Sequence, residues 1–324
     1  MKKVSAILLA IDGDYDEQAL LTEVASITTD GVSHITILSI MEPETDDLHK
    51  NVAVSNLHKW ESEARSTQLK KLSAALAGSG VQVDIQYATG KPYLEIIRES
   101  LGGHYDLVIK PAAHDSGIKR LLLGGTDIQL LSLCPIPVWI FQPTVSKSLK
   151  KIAVAIDLQP NEPERHALAE KVLDWGKYMA RSVGAELHVI HTWSIYREES
   201  LRARSALSET IDKLSDNKEQ LHRKWLNDAL RNAGLGSDEI HEHVVKGEAR
   251  HLIPKIVDEF EIDLLVMGTV GRTGIPGFFI GNTADLVLRT VDSSVFAVKP
   301  ENFVTPVASH SRLSRTANFG ESGR

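Results

Sequence analysis

Apolar residues in this chain fall into short runs separated by longer amphipathic stretches. ILLAI, ITILSI and LVI in the first half, and IAVAI, LHVIH, DLLVM and VFAV in the second, are near-continuous apolar runs of strand length. Between them apolar positions recur three and four residues apart, the spacing of a helix that buries one face. The pattern predicts strands at 6–11, 34–40, 81–87, 106–110 and 137–141, and again at 152–156, 186–191, 241–246, 263–267 and 295–299. It predicts helices at 16–29, 55–77, 92–101 and about 124–132, then at 163–182, 198–233, 249–259 and 281–290. Strands alternating with helices in this way make a parallel sheet with helices on both faces. Ligands of such sheets sit beyond the carboxyl ends of the strands, where the strand order reverses. Segments 41–54 and 193–215 are charged and fit the template poorly. The second begins an apolar stripe (Leu201, Leu207, Ile211, Leu214, Leu221, Trp225) that reads as a helix packed on its own sheet, with a cover over a pocket as the alternative.

The element order repeats, and so do the residues. ILLAID at 7–12 aligns with IAVAID at 152–157, residues 90–111 align with 247–268, and LLLGGTDIQLL at 121–131 aligns with FFIGNTADLVL at 278–288. A repeat of this length is a whole domain rather than a solenoid unit. The expected organisation is a first domain at 1–145, a second at 150–300 and a disordered tail at 301–324, rich in Ser, Arg and Asn. The repeat also settles how the N-terminus is read. MKKVSAILLAID has the look of a weak signal peptide, but KKIAVAID recurs at 150–157, so both are taken as first strands.

Composition narrows the function classes. With 42% hydrophobic and 24% charged residues the chain is of the soluble globular type, and its net charge of −7 argues against a nucleic-acid binder with a generally basic surface. No apolar run reaches the ~18 residues that a membrane span needs. The one cysteine, Cys134, excludes an intramolecular disulfide and fits a reducing cytoplasm.

The richest chemistry lies in MGTVGRTGIPGFFIGNTADLVL at 267–288. Gly268, Gly271 and Gly281 have the spacing G-x2-G-x9-G, starting at the end of a strand and finishing at the start of a helix. Glycines let backbone approach a ligand closely, and a helix start offers free N–H groups and the positive end of its dipole. The arrangement suits a phosphate; a tight crossover turn is the alternative. On these residues the chain resembles the universal stress protein family, and its two copies, the first degenerate, are similar to the tandem, E-type members of Gram-negative bacteria. The resemblance covers residues 3–300.

It implies an α/β fold of two tandem, doubly wound, five-stranded parallel-sheet domains of strand order 3-2-1-4-5, of the adenine nucleotide alpha hydrolase-like kind, with a pocket between the first and fourth strands. By the same resemblance Asp157 matches a contact to adenosine, and Thr192, which follows His191, matches a backbone contact to adenine. Met267 and Gly268 match positions beside the ribose, and Gly271, Gly281 and the residues after it match a phosphate loop. Arg272 lies in that loop as a phosphate partner or a solvated charge. The implied ligand is ATP or AMP, with Mg2+ if a triphosphate binds.

One position departs from the family pattern. Asn282 follows the last glycine where Ser or Thr is usual; it keeps a backbone N–H and adds an amide donor, while Thr283 stands one residue too late on the helix. In the first copy Pro111 replaces the first glycine and His114 the second, so that pocket is expected to be altered or empty. The expected function is binding, in the second copy, of a nucleotide or another anionic small molecule by a stress-response protein that is not an enzyme. A slow ATP hydrolase and a scaffold for a lipid-like metabolite are the alternatives.

Other patterns are weaker. DGDYDEQALLTE has EF-hand spacing but Glu17 where a calcium loop needs glycine. His241 and His243 share a strand face and could bind zinc with a third ligand, although a surface strand is the simpler reading. Finally, by resemblance, single-domain members pair through their fifth strands, here 138–141 and 295–298. An apolar edge strand needs a partner, so the two copies are expected to pair internally as a pseudo-dimer, with higher oligomers open.

Overall fold

The computed structural model describes residues 4–28, 31–41, 52–78, 80–112, 123–142, 148–202, 208–270 and 280–308. The first copy runs β1 (Ala6–Ile11), α1 (Glu17–Thr28), β2 (His34–Met41), α2 (Val52–Ala77), β3 (Gln82–Thr89), α3 (Pro92–Gly102), β4 (Leu107–Pro111), α4 (Gly125–Leu133) and β5 (Val138–Phe141). The second runs β6 (Lys151–Ile156), α5 (Pro163–Val183), β7 (Glu186–Trp193), α6 (Glu198–Arg202), α7 (Ser208–Asn232), a 3-10 turn (Ser237–Glu239), β8 (Ile240–Lys246), α8 (Ala249–Glu259), β9 (Leu264–Gly268), α9 (Asn282–Thr290) and β10 (Ser294–Val298).

The ten strands form one sheet of order β3-β2-β1-β4-β5-β10-β9-β6-β7-β8. Each half is parallel with the expected order 3-2-1-4-5. The halves join where β5 and β10 pair antiparallel, Val138 opposite Ala297, Trp139 opposite Phe296 and Ile140 opposite Val295. The expected internal pseudo-dimer is therefore present, and each fifth strand buries the other's edge.

Period-two alternation of side chains sends the strand residues to two core layers. One holds Ile7, Leu9, Ile109, Trp139, Val154, Val266 and Phe296 under α1, α2, α5 and α7; it runs unbroken across the β5–β10 seam. The other holds Leu8, Val108, Ile140, Ala153, Leu265 and Val295 under α3, α4, α8 and α9. At Gly176 α5 lies tight on the sheet: a Cβ there would clash with Cγ2 of Val154. That explains a glycine inside a helix, where it otherwise costs about 1 kcal/mol.

The repeat is legible in polar contacts too. Asp106, just before β4, accepts the backbone N–H groups of Ser5 and Ala6 (2.8 and 3.0 Å), and Asp263, just before β9, accepts those of Lys150 and Lys151 (2.8 and 2.9 Å). Each carboxylate clamps the start of the central strand in its own copy.

The helical region expected at 198–233 comprises α6 and α7, with 203–207 outside the described residues. Of its apolar stripe, Ile211 packs with Leu201 on Trp193 and Ile195, and Trp225 packs against the main core, while Leu214 and Leu221 remain exposed. Leu207 is outside the described residues. Of the tail, residues 301–308 are placed: Val307 packs on the α3/α4 layer and the Phe303 ring lies 5.0 Å from Nζ of Lys299. The EF-hand spacing has another meaning, because Asp12 binds Lys110 and Asp16 caps α1 by accepting the N–H of Ala19 at 3.0 Å. Among the described residues no helix is long and apolar enough to cross a membrane.

Candidate functional site

In the second copy the chain leaves β6 toward β7 on one side and returns through β9 on the other, so the reversal of strand order lies between β6 and β9. β6 pairs with β7 as far as Ile156 opposite His191, and with β9 as far as Ala155 opposite Met267. Thr192 and Trp193 continue beyond the end of β6 while still paired with Val245 and Lys246 of β8. Asp157 is the next residue after β6. The expected residues Asp157, Thr192, Met267 and Gly268 thus collect around the carboxyl ends of three adjacent strands.

Met267 is buried on the α8/α9 side, with Ala284 of α9 in the same layer. Gly268 faces the other way: a Cβ there would meet Cδ2 of Leu168 in α5 at 2.9 Å, so helix packing is one reason for this glycine. Gly281 is the N-cap of α9, and among the described residues no side chain caps it. Asn282 is exposed at the first helical position and Thr283 is half-buried behind it. Gly271 and Arg272 lie outside the described residues.

The base of the glycine loop is anchored at both ends. Gly281 donates its N–H to the carbonyl of Thr269 at 3.0 Å, and the Thr269 hydroxyl donates to the carbonyl of Leu131, in the first copy, at 3.0 Å. Lys299, fully buried, donates to the same Leu131 carbonyl at 2.7 Å and also bonds the Thr269 hydroxyl. Burial drives the Lys299 ammonium down to about 7, with Cys134 pulling weakly the other way. Between pH 7 and the ordinary value near 10.4 the unfolded chain holds a proton that the folded one has released. This group therefore makes stability rise with pH across that window, by up to about 1.4 kcal/mol per unit. Denaturant midpoints at pH 7 and 9.5 should show that rise in the native chain, relative to a Lys299→Met variant; equal pH slopes in the two would refute it.

Two residues of the site were not legible in the sequence. Arg165, in the first turn of α5, bonds the Asp157 carboxylate and also Glu162 at 2.7 Å. An ionised carboxylate has about four lone-pair sites, so Asp157 can accept a ligand hydroxyl as well. The second residue is His222 of α7, which reaches His191 with its Nδ1 2.8 Å from Nε2. Burial pushes both imidazoles down, His222 to about 4, so both are neutral at pH 7. Nδ1 of His191 lies 3.3 Å from the Ile156 carbonyl, which can only accept. A neutral His191 thus carries its proton on Nδ1, and His222 must donate to the bare Nε2. This chain ties the end of β7 to the end of β6 directly before Asp157. Trp193 stacks on His222 with ring centroids 5.7 Å apart, and Trp225 meets it edge-on at 4.7 Å. An aromatic and imidazole wall thus stands beside Thr192.

The first copy has the same crevice, filled from within. Lys110 stands where the second copy has Met267, and its buried ammonium contacts Asp12 at 2.8 Å and Asp127 at 2.9 Å. Asp12 corresponds to Asp157, and Asp127 to Ala284. The other oxygen of Asp127 accepts the N–H of Gly124 at 3.1 Å, so a carboxylate of the chain itself occupies the start of α4. Burial opposes the charge on Lys110, but the carboxylates of Asp127 and Asp12 outweigh it and hold the ammonium above its ordinary value. At this point of the first copy the described structure holds the Lys110 ion cluster; of the residues expected to alter the pocket, Pro111 ends β4 and His114 lies outside the described residues.

Comparison with known proteins bears on the same repeat. The profile of the Universal stress protein family matches residues 3–142 and again 148–299. The chain belongs to the universal stress protein family. Among curated members, Universal stress protein E of Escherichia coli (strain K12) is 29% identical over 241 residues, covering 71% of this chain and 72% of that protein. Universal stress protein E of Photorhabdus laumondii is 26% identical over 323 residues, covering 95% and 98%. Among solved structures, a putative universal stress protein of Pseudomonas aeruginosa UCBPP-PA14 superposes with a TM-score of 0.69 at 25% identity, covering 92% of this chain and 94% of that one. Within the family this chain is of the tandem kind.

Proposed function

We propose that this universal stress protein binds an adenine nucleotide, ATP or AMP in type, or a similar anionic small molecule, in the crevice of its second copy. Residues 150–300 form the binding domain in this reading and 1–145 a structural partner, and the protein acts in the cytoplasm. The supporting observation is the difference between the two crevices. In the first, an ammonium and two carboxylates fill the position and a carboxylate covers the start of α4. In the second, Met267 and Ala284 replace Lys110 and Asp127, and among the described residues the start of α9 has no side-chain cap. Uncapped N–H groups at a helix start attract an anion. Asp157, the backbone of Thr192, Met267 and Gly268 serve the nucleoside; Gly271, Arg272, Gly281, Asn282 and Thr283 serve the phosphates, with Mg2+ if the ligand is a triphosphate.

The role is binding rather than turnover. Asp157, the carboxylate at the end of β6, is engaged by Arg165 and so is poorly suited to act as a general base. Transplanting the first copy's closure tests the proposal. Met267→Lys with Ala284→Asp rebuilds the filled crevice around Asp157, in a fold whose other half already tolerates it. The native chain should show saturable binding of ATP, ADP or AMP, and the double variant should lose more than about tenfold in affinity, equivalent to about 1.4 kcal/mol. Equal affinity in both, or no binding of any of the three to the native chain, would refute it.

A further inference from the structure

The HEH run of β8 does not stand alone. His241 pairs in register with His188 of β7, so their side chains share the sheet face that α8 covers. Glu186, two residues before His188, lies on that face too. Its Oε2 is 3.9 Å from Nε2 of His188 and 3.8 Å from Nε2 of His241, and the ligating atoms of the three residues all lie within 4.8 Å of one another. Glu186 and His241 are exposed, whereas His188 is buried, only 3% exposed. The cluster sits at the amino ends of β7 and β8, the opposite end of the sheet from the nucleotide crevice.

The state of His188 is what points to a ligand. Its Nδ1 is 3.0 Å from Nε2 of His243, whose ring lies parallel to it at 5.2 Å. Its Nε2 is buried and has no hydrogen-bond partner among the described residues. The Glu186 oxygen stands outside hydrogen-bond range. A buried polar atom left unsatisfied costs about 1–3 kcal/mol, so such an atom calls for an explanation. When Nδ1–H donates to His243, the Nε2 lone pair is left bare toward Glu186 and His241. This is how metal-ligating histidines are held: one nitrogen fixed by a neighbour, the other on the ion.

We propose that Glu186, His188 and His241 form a binding site for a divalent transition-metal ion of the zinc type, with His243 positioning His188 and water in the fourth place. Two imidazoles and a carboxylate suit zinc and its borderline neighbours, whereas Mg2+ and Ca2+ prefer oxygen ligands. Zn–N and Zn–O bonds of about 2.0–2.1 Å in a tetrahedron place ligand atoms about 3.3 Å apart. The present separations are wider, and the two exposed side chains must rotate toward His188 for the ion to bind.

The test uses the full chain, freed of metal by chelator and titrated with Zn2+ by calorimetry and with Co2+ by visible absorption. The expected result is one saturable Zn2+ per chain and Co2+ bands of four-coordinate intensity. His241→Ala and Glu186→Gln change exposed residues and should fold normally, yet each should weaken Zn2+ binding by more than tenfold. His243→Phe should weaken it by about 10- to 100-fold through the orientation of His188. No saturable binding to the native chain would overturn the proposal, as would an unchanged affinity in His241→Ala. Loss in Asp157→Ala with retention in His241→Ala would also overturn it, since the ion would then sit in the crevice.

Discussion

Phe296→Asp is expected to abolish the cooperative native fold at neutral pH. Phe296 is fully buried at the centre of the seam between the copies, opposite Trp139 of β5 and with its ring 4.8 Å from that of Trp175 in α5. Removing the ring costs about 3–5 kcal/mol, and an uncompensated carboxylate in its place adds several more. That sum is comparable to the whole stability of about 5–15 kcal/mol that a protein domain commands. The loss cannot stay local. β5 meets β10 through three residue pairs, and the α1/α2/α5/α7 core layer runs through this point from one copy to the other. Also crossing the seam are the N–H of Gln142 donating to the Ser294 hydroxyl at 3.0 Å and the Leu131 carbonyl shared by Thr269 and Lys299. Phe296→Leu keeps an apolar side chain and should cost only a few kcal/mol. Circular dichroism melting and size-exclusion chromatography would check both variants. An Asp variant that melts near the native temperature, with unchanged size, would contradict the seam as a core element.

The second large effect is expected at Lys110. Lys110→Met should cost about 3–5 kcal/mol, because it leaves the buried Asp127 and the largely buried Asp12 facing each other without their cation. Adding Asp127→Ala should restore most of the loss, since the pair of changes reproduces what the second copy holds at Met267 and Ala284. Coupling energies from the double-mutant cycle measure the interaction directly. The pH dependence has a definite sign. Burial raises Asp127 above the ordinary carboxylate value in spite of Lys110, so it takes up a proton early as pH falls, and the deficit of Lys110→Met should shrink in mild acid. Lys110 itself is raised, so its contribution is fully present below the ordinary lysine value of about 10.4 and is lost only as pH rises through its higher folded value. A deficit that grows on acidification, or no rescue by Asp127→Ala, would rule out the ion cluster as the cause.

Much of the fold was legible along the chain. The apolar runs marked all ten strands, and helix boundaries differ from the pattern mostly by one to three residues, as frayed ends do. The aligned segments showed the duplication, and their glycines located the crevice. The crevice residues Asp157, Thr192, Met267 and Gly281 come together because each stands at an element's end on one rim of the sheet. What was missed shares a physical cause. Arg165 and His222 lie in helices whose polar residues look alike in sequence, and only helix docking selects the one that reaches the site. Lys110 was invisible for the opposite reason: in DLVIKP it reads as the charged end of a strand, and nothing nearby announces that Asp12 and Asp127 surround it.

The sequence by itself determined the strands, the helices between them and the two copies, since these follow from periodicity, apolar runs and backbone demands that each segment carries alone. Only the tertiary structure decided that Lys110 meets Asp12 and Asp127 in the first crevice, which imidazoles carry a proton at which nitrogen, and that His188, His241 and Glu186 meet. Those outcomes depend on strand register and desolvation, which arise when segments distant in sequence are brought within a few ångströms and water is removed from between them.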